Sequence, residues 1–169
     1  SGGPQAPPIS AGGSLWPLDP EGRTAADGPP PPRLAILVLG CRLPVYDRCI
    51  RAIRSTWGAR PPADVDVLYL YGRPISSGQE GTDLGPVIGR AEPDLEENET
   101  VRLGDVILCG TGDVYADQVD GILRKRLLAF AALAELDEYD FVYSVCASSY
   151  VDVHELRRYV RGLPATGVY

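Results

Sequence analysis

The chain predicts an α/β fold, a layered and mostly parallel sheet with flanking helices. Strand-like apolar runs recur at Leu34–Leu39, Val65–Tyr71, Asp105–Cys109 and Phe141–Val145. Segments with apolar residues at spacings of three and four separate them. The first run is apolar throughout, the pattern of a strand covered on both faces. Strands that alternate with helices pair in parallel, because each helix carries the chain back to the starting edge.

The elements follow in order. Residues 1–32 are rich in Gly, Pro, Ser and Ala and close on Gly28 and four prolines. That composition reads as a disordered linker or stem with polyproline character, on which Trp16 and Leu18 are the candidate docking residues. The domain spans residues 33–169. Leu34–Leu39 ends at Gly40. Asp47 is the expected N-cap of a helix that puts Ile50, Ile53 and Trp57 on one face and stops before Pro61-Pro62. Val65–Tyr71 is closed by Gly72. Residues 73–98 form a Gly-, Pro- and acid-rich connection with a short helix expected near Pro93–Asn98. The third strand is Asp105–Cys109. The longest helix is expected over 113–136, with Leu123, Leu127, Phe130, Leu133 and Leu136 at helical spacing. After the fourth strand, Asp152 caps a helix with Glu155 three residues on as its capping-box partner. That helix ends near Gly162-Leu163-Pro164, and Val168-Tyr169 reads as the opening of a further strand.

Bulk properties bound the function. The 169 residues suit one domain, and the hydrophobic fraction of 44% is ordinary for a globular chain. A net charge of −7 argues against a general nucleic-acid partner, which requires a basic face. No stretch reaches the roughly 20 apolar residues of a membrane span. The sequence contains no Met, even at position 1, and so reads as a processed chain or a piece of a longer one. Four cysteines occur without a C-x-x-C pair, which disfavours zinc. Cys109 and Cys146 read as small buried hydrophobes. Cys41 and Cys49 are a possible disulfide pair.

In a parallel α/β sheet the ligand lies at the carboxyl ends of the strands. That rim comprises Gly40–Arg42, Gly72-Arg73, Gly110–Asp113 and Cys146–Ser149. Arg48, Arg51 and Arg54, three residues apart, share one side of the first helix. Arginine grips phosphate through a fixed fork of donors. Spacing alone favours a solvated basic face over a diphosphate clamp. His154 reads as an exposed residue of a first helical turn, and Ser148-Ser149 has no base arranged as in a hydrolytic triad.

The run Arg48–Gly58 resembles the R-x-x-I-R-x-T-W-G signature of the beta-1,3-galactosyltransferase and Fringe-like family, glycosyltransferase family 31. Other landmarks fall in the same order. Val67–Gly72 looks like the family's second strand. Glu99 with Gly104-Asp105-Val106-Ile107-Leu108 resembles E-x-x-x-x-G-D-I-L. Asp113-Val114-Tyr115 with Lys125 resembles D-x-Y-x-N-L-T-x-K. Phe141-Val142-Tyr143 leads to Tyr150-Val151-Asp152, similar to the end of D-D-D-x-[FY]-V-N. The resemblance spans residues 33–169 and implies the nucleotide-binding, Rossmann-like half of a GT-A fold.

It further implies a UDP-sugar donor and transfer of a hexose to a hydroxyl of a glycan or glycoprotein acceptor. By resemblance the donor would meet Gly40, Cys41, Arg42, Arg51, Arg54, Trp57, Asp113, Lys125, Ala147, Ser148 and Ser149. Trp57 reads first as core packing. The family holds manganese on three acidic residues, and these fall on Cys146, Ala147 and Ser148, which lack hard oxygen donors of that charge. Asp113 and Asp152 are the remaining carboxylate candidates. Asp117-Gln118-Val119 stands where N-L-T is expected. The half that supplies acceptor pocket and general base would begin where this chain ends. The alternative is a non-catalytic relative that binds nucleotide or glycan, or serves an active transferase as partner. The resemblance implies the Golgi lumen for a eukaryotic source, and a microbial source implies the cytoplasm.

Overall fold

The computed structural model describes residues 30–74, 93–113 and 119–164. The stem expected over 1–32 and the strand expected at Val168-Tyr169 lie almost wholly outside them. Pro31–Tyr169 forms one unit of the chain.

Among the described residues the elements are β1 (Leu34–Leu39), α1 (Pro44–Ser55), β2 (Val65–Arg73), β3 (Thr100–Leu103), β4 (Val106–Gly112), α2 (Val119–Leu136), β5 (Phe141–Cys146) and α3 (Val153–Arg161). They build a five-stranded mixed sheet in the order β3-β4-β2-β1-β5. β1 pairs in parallel with β2 and β5, and β2 pairs in parallel with β4. Only β3 is antiparallel, on β4. The described residues thus form an α/β layer.

The period of two in the strands separates the two cores. Leu34, Ile36 and Val38 face one way and pack with Ile50 and Ile53 of α1 and Val153 and Val160 of α3. Ala35, Leu37 and Leu39 face the other way and meet Ala129 and Leu133 of α2. β1 is central and buried along its whole length, as its unbroken apolar run predicts.

Several local expectations are corrected. α1 starts at Pro44, with Leu43 as an N-cap that makes no side-chain cap bond. Proline suits that first turn because its missing N–H would have had no helical partner. Asp47 sits inside the first turn, where a carboxylate favours the helix dipole, and pairs with Arg51 at 2.6 Å. Strand β3 is a further element. It forms a hairpin with β4 through Gly104-Asp105, and Gly104 takes φ 64°, the positive φ of a two-residue turn with Gly first. Asp105 therefore belongs to the turn, and the third expected strand runs on to Gly112. Residues 93–98 form no helix but a turn, closed by Glu96 N–H on Glu99 Oε2 at 2.8 Å and Glu99 N–H on Glu96 O at 2.9 Å. The long helix begins at Val119 among the described residues. Cys146 is exposed, not buried, because β5 is an edge strand among the described residues. All four cysteines are free, so the Cys41–Cys49 disulfide that the sequence left open is not formed.

The cap of α3 is as expected: Glu155 N–H donates to Asp152 Oδ1 at 3.0 Å. That helix is tied to the foot of β2 by Asp64, which accepts from Arg157 Nε at 2.7 and 2.8 Å and from Arg161 at 3.1 Å. Burial alone would raise the Asp64 carboxyl. The Arg157 hydrogen bonds, then its own backbone and Arg161, outweigh that and hold it below its ordinary value. A carboxyl depressed in the fold stabilises above its unfolded pKa, and the contribution fades as pH falls through the folded one. Asp64→Asn should therefore cost about 1.5–3 kcal/mol at neutral pH. In urea titrations the gap to the parent should close as pH drops below about 4. A gap that stays constant into acid would mean the ion pair contributes nothing.

Candidate functional site at the carboxyl rim

β1 leads through α1 to β2 on one side, whereas β4 leads through α2 to β5 on the other. The strand order therefore reverses at β1, with β2 and β4 on one side of it and β5 on the other, so the carboxyl ends of β1 and β5 are neighbours. Leu39 and Cys146 are register partners, and Ala147 N–H donates to Leu39 O at 3.2 Å. Gly40–Arg42 and Cys146–Ser149 are consequently side by side.

Beneath this rim lies a buried charged network. Lys125, 3% exposed, reaches from the second turn of α2 to Asp113, 1% exposed, at 2.5 Å. The same ammonium donates to Gly40 O at 2.8 Å. Asp113 Oδ2 accepts from Arg42 N–H at 2.6 Å, and Arg42 Nε donates to Gly72 O at 2.7 Å. Three strand ends, those of β1, β2 and β4, are thus tied together by side chains that the sequence scatters over 84 positions. Cys41 is part of the same region. Its thiol is pushed up to about 11, first by burial and then by the Asp113 carboxylate, so at neutral pH it is a protonated thiol and not a nucleophile.

Close approach explains the glycine at the end of β1. A Cβ on Gly40 would meet the Tyr71 ring at 2.7 Å. A cavity of about 290 Å³ opens beside the network, lined by Arg42, Arg73, Pro74, Pro93, Asp94, Leu95, Leu108 and Cys109. Sequence reasoning placed Arg73 on the rim but missed Pro93, Asp94 and Leu95. No spacing signal marks them, because a turn brings them back over β4.

The resemblance-derived residues divide into two groups. Gly40, Cys41, Arg42, Asp113, Lys125, Ala147, Ser148 and Ser149 gather at the rim. Arg42, Asp113, Lys125 and Ala147 are buried, whereas Ser148 is exposed and Ser149 partly so. Arg51 and Arg54 lie further along α1, which runs away from the rim, and Trp57 lies just beyond its end. Arg54 is ten residues past Pro44, roughly 15 Å of helical rise. Arg54 pairs with Asp105 at 3.0 Å and stacks over the Tyr69 ring at 4.5 Å. Trp57 packs partly buried against the α1 side of the core. Val114, Tyr115 and Asp117-Gln118 lie outside the described residues.

The rim residues do not fit a manganese ion. Asp113 already accepts from Lys125 and Arg42, and a cation would have to displace both. Asp152 is engaged as the α3 cap. Ala147 is buried and offers no donor. Among the described residues, no three His, Cys, Asp or Glu side chains come together in a metal-binding group. His154 is exposed in the first turn of α3.

Among the described residues, no helix is long and apolar enough to cross a membrane. Comparison of the chain with protein-family models, curated proteins and solved structures finds no match in any of the three.

Proposed function

We propose that this chain is a nucleotide-sugar-binding domain of the glycosyltransferase type, with a GT-A-like, Rossmann-like arrangement and a UDP-sugar as donor. The observation that carries the reading is the convergence of Gly40–Arg42, Asp113, Lys125 and Cys146–Ser149, far apart in sequence, at the one change of direction in the parallel part of the sheet. Open α/β sheets bind nucleotides outside the carboxyl ends of their strands, where the strand order reverses. The exposed Ser148 hydroxyl and Arg73 guanidinium supply donors suited to a diphosphate. Arg42 and Lys125, opposed by the single carboxylate of Asp113, leave a net positive charge just beneath, where a low dielectric strengthens its field. In this reading donor binding is metal-independent. Lys125 and Asp113 act by positioning Gly40 and Arg42, while Ser148, Ser149 and Arg73 touch the ligand. During hexose transfer to a glycan hydroxyl, the fixed positive charge would stabilise the departing diphosphate.

A second reading has a specific observation in its favour. Asp113 and Asp152 are both committed to internal partners, which leaves no carboxylate of that pair free to act as base or metal ligand. A non-catalytic relative that binds donor, or glycan, without transfer accounts for this.

Calorimetric titration of UDP, UDP-galactose and UDP-N-acetylglucosamine, in manganese and again in EDTA, tests the first reading. Binding is expected to survive EDTA, and Arg73→Ala should weaken it about tenfold or more. Absence of binding in both buffers would sink the proposal. Donor binding without turnover on glycan acceptors would select the second reading.

A further inference from the structure

Helix α2 is apolar on both sides. Lys125, Ala129 and Leu133 turn inward and are buried. On the opposite side, Leu123 is 51% and Leu127 57% exposed, and Ala131 and Ala134 continue the same stripe, also exposed. A helix that met only water there would carry polar residues on this face. We propose that this outer face of α2 is a self-association surface, on which a second copy of the chain packs its own α2 antiparallel about a two-fold axis.

The residue order argues for that occupant. The large residues, Leu123 and Leu127, lie toward the amino end of α2, and the small ones, Ala131 and Ala134, toward the carboxyl end. An antiparallel pair centred near the level of Ala129 sets Leu127 against Ala131 of the second copy and Leu123 against Ala134 of the second copy. Each bulky side chain then enters the recess above a small one, as ridges enter grooves. A parallel pair would oppose Leu to Leu and Ala to Ala, leaving a gap at one end. An isologous two-fold arrangement requires a stripe that is complementary to itself. Charge follows the same order: Arg124 is exposed near the amino end and Glu135 near the carboxyl end. Arg124 already pairs with Glu97 at 2.5 Å and donates to Asn98 at 2.6 Å, so its charge favours orientation more than affinity.

The helix is 18 residues long, about 27 Å, and a single helix pair lies at the small end of specific interfaces. The dimer is therefore weak and concentration-dependent.

Sedimentation velocity of the whole chain over a wide concentration series reads this directly. The mass is expected to rise toward that of two chains. Leu127→Glu should weaken association at least about tenfold, since it buries a charge at the centre. Ala131→Leu discriminates further. It adds apolar area but fills the recess, so it should also weaken the dimer, whereas a merely sticky patch would associate more tightly. Both side chains are exposed, and unchanged circular dichroism would verify that each variant folds. A monomer at every concentration, or tighter association of Ala131→Leu, would overturn the proposal and leave the face to a different partner.

Discussion

Replacing Lys125 by Met is expected to lower the stability of this domain by about 3–5 kcal/mol, the cost of leaving a buried charge without its partner. Met preserves most of the chain length, so packing changes little and the electrostatic loss dominates. The carboxylate of Asp113 would keep the Arg42 N–H bond but lose its 2.5 Å ammonium contact. Gly40 O would lose its donor as well. For a domain of this size the loss corresponds to a fall in Tm of about 10 °C. Thermal and urea unfolding measure it. Adding Asp113→Leu to the Met variant should recover part of the stability, because the isolated charge is then removed. If Lys125→Met costs under about 1 kcal/mol, the pair is solvated and the rim is not braced in this way. Loss of the brace would also loosen the Gly40–Arg42 loop, so under the function proposed above any UDP-sugar binding should weaken in the same variant.

Gly110→Ala is the second large effect. A Cβ there would fall 1.7 Å from Glu96 O and 2.6 Å from Glu96 C. Both atoms are backbone, so no rotamer change relieves the clash, and the turn over 93–99 must lift off β4. Gly110 N–H donates to Glu99 O at 2.9 Å, and this bond would stretch or break with it. Overpacking of this kind costs about 1–3 kcal/mol. The same movement would open the cavity lined by Pro93, Asp94 and Leu95. Limited proteolysis should then cut at Glu96–Glu99 faster than in the parent chain. A variant with unaltered melting and unaltered cleavage would show that the turn is not seated on Gly110.

The α/β layer was legible in the residues themselves. β1 is apolar at every position because both its faces are covered, and a strand with no polar residue has no other stable place than the sheet centre. The capping of α3 by Asp152 was equally local, since a cap and its acceptor lie three residues apart. β3 was not legible. Four half-buried residues with Arg102 among them carry too little pattern, and the hairpin depends on Gly104 taking a positive φ. The Asp47 cap was misassigned because Pro44, a strong first-turn residue, outranked it.

The rim divides along the same line. Its location followed from strand ends and glycines alone. The roles of the residues on it did not. Lys125 read as a ligand for diphosphate, yet in the fold its ammonium is held by Asp113 and Gly40 O. The resemblance implied that Arg54 meets the donor, yet the direction of α1 carries it away to Asp105 and Tyr69. Local order of polar and apolar groups determines elements, because propensity and burial pattern act over a few residues. Only tertiary structure decides partners, because a charged side chain finds its counter-charge through space, and here the chain had to close its sheet before Arg42, Asp113 and Lys125 could meet.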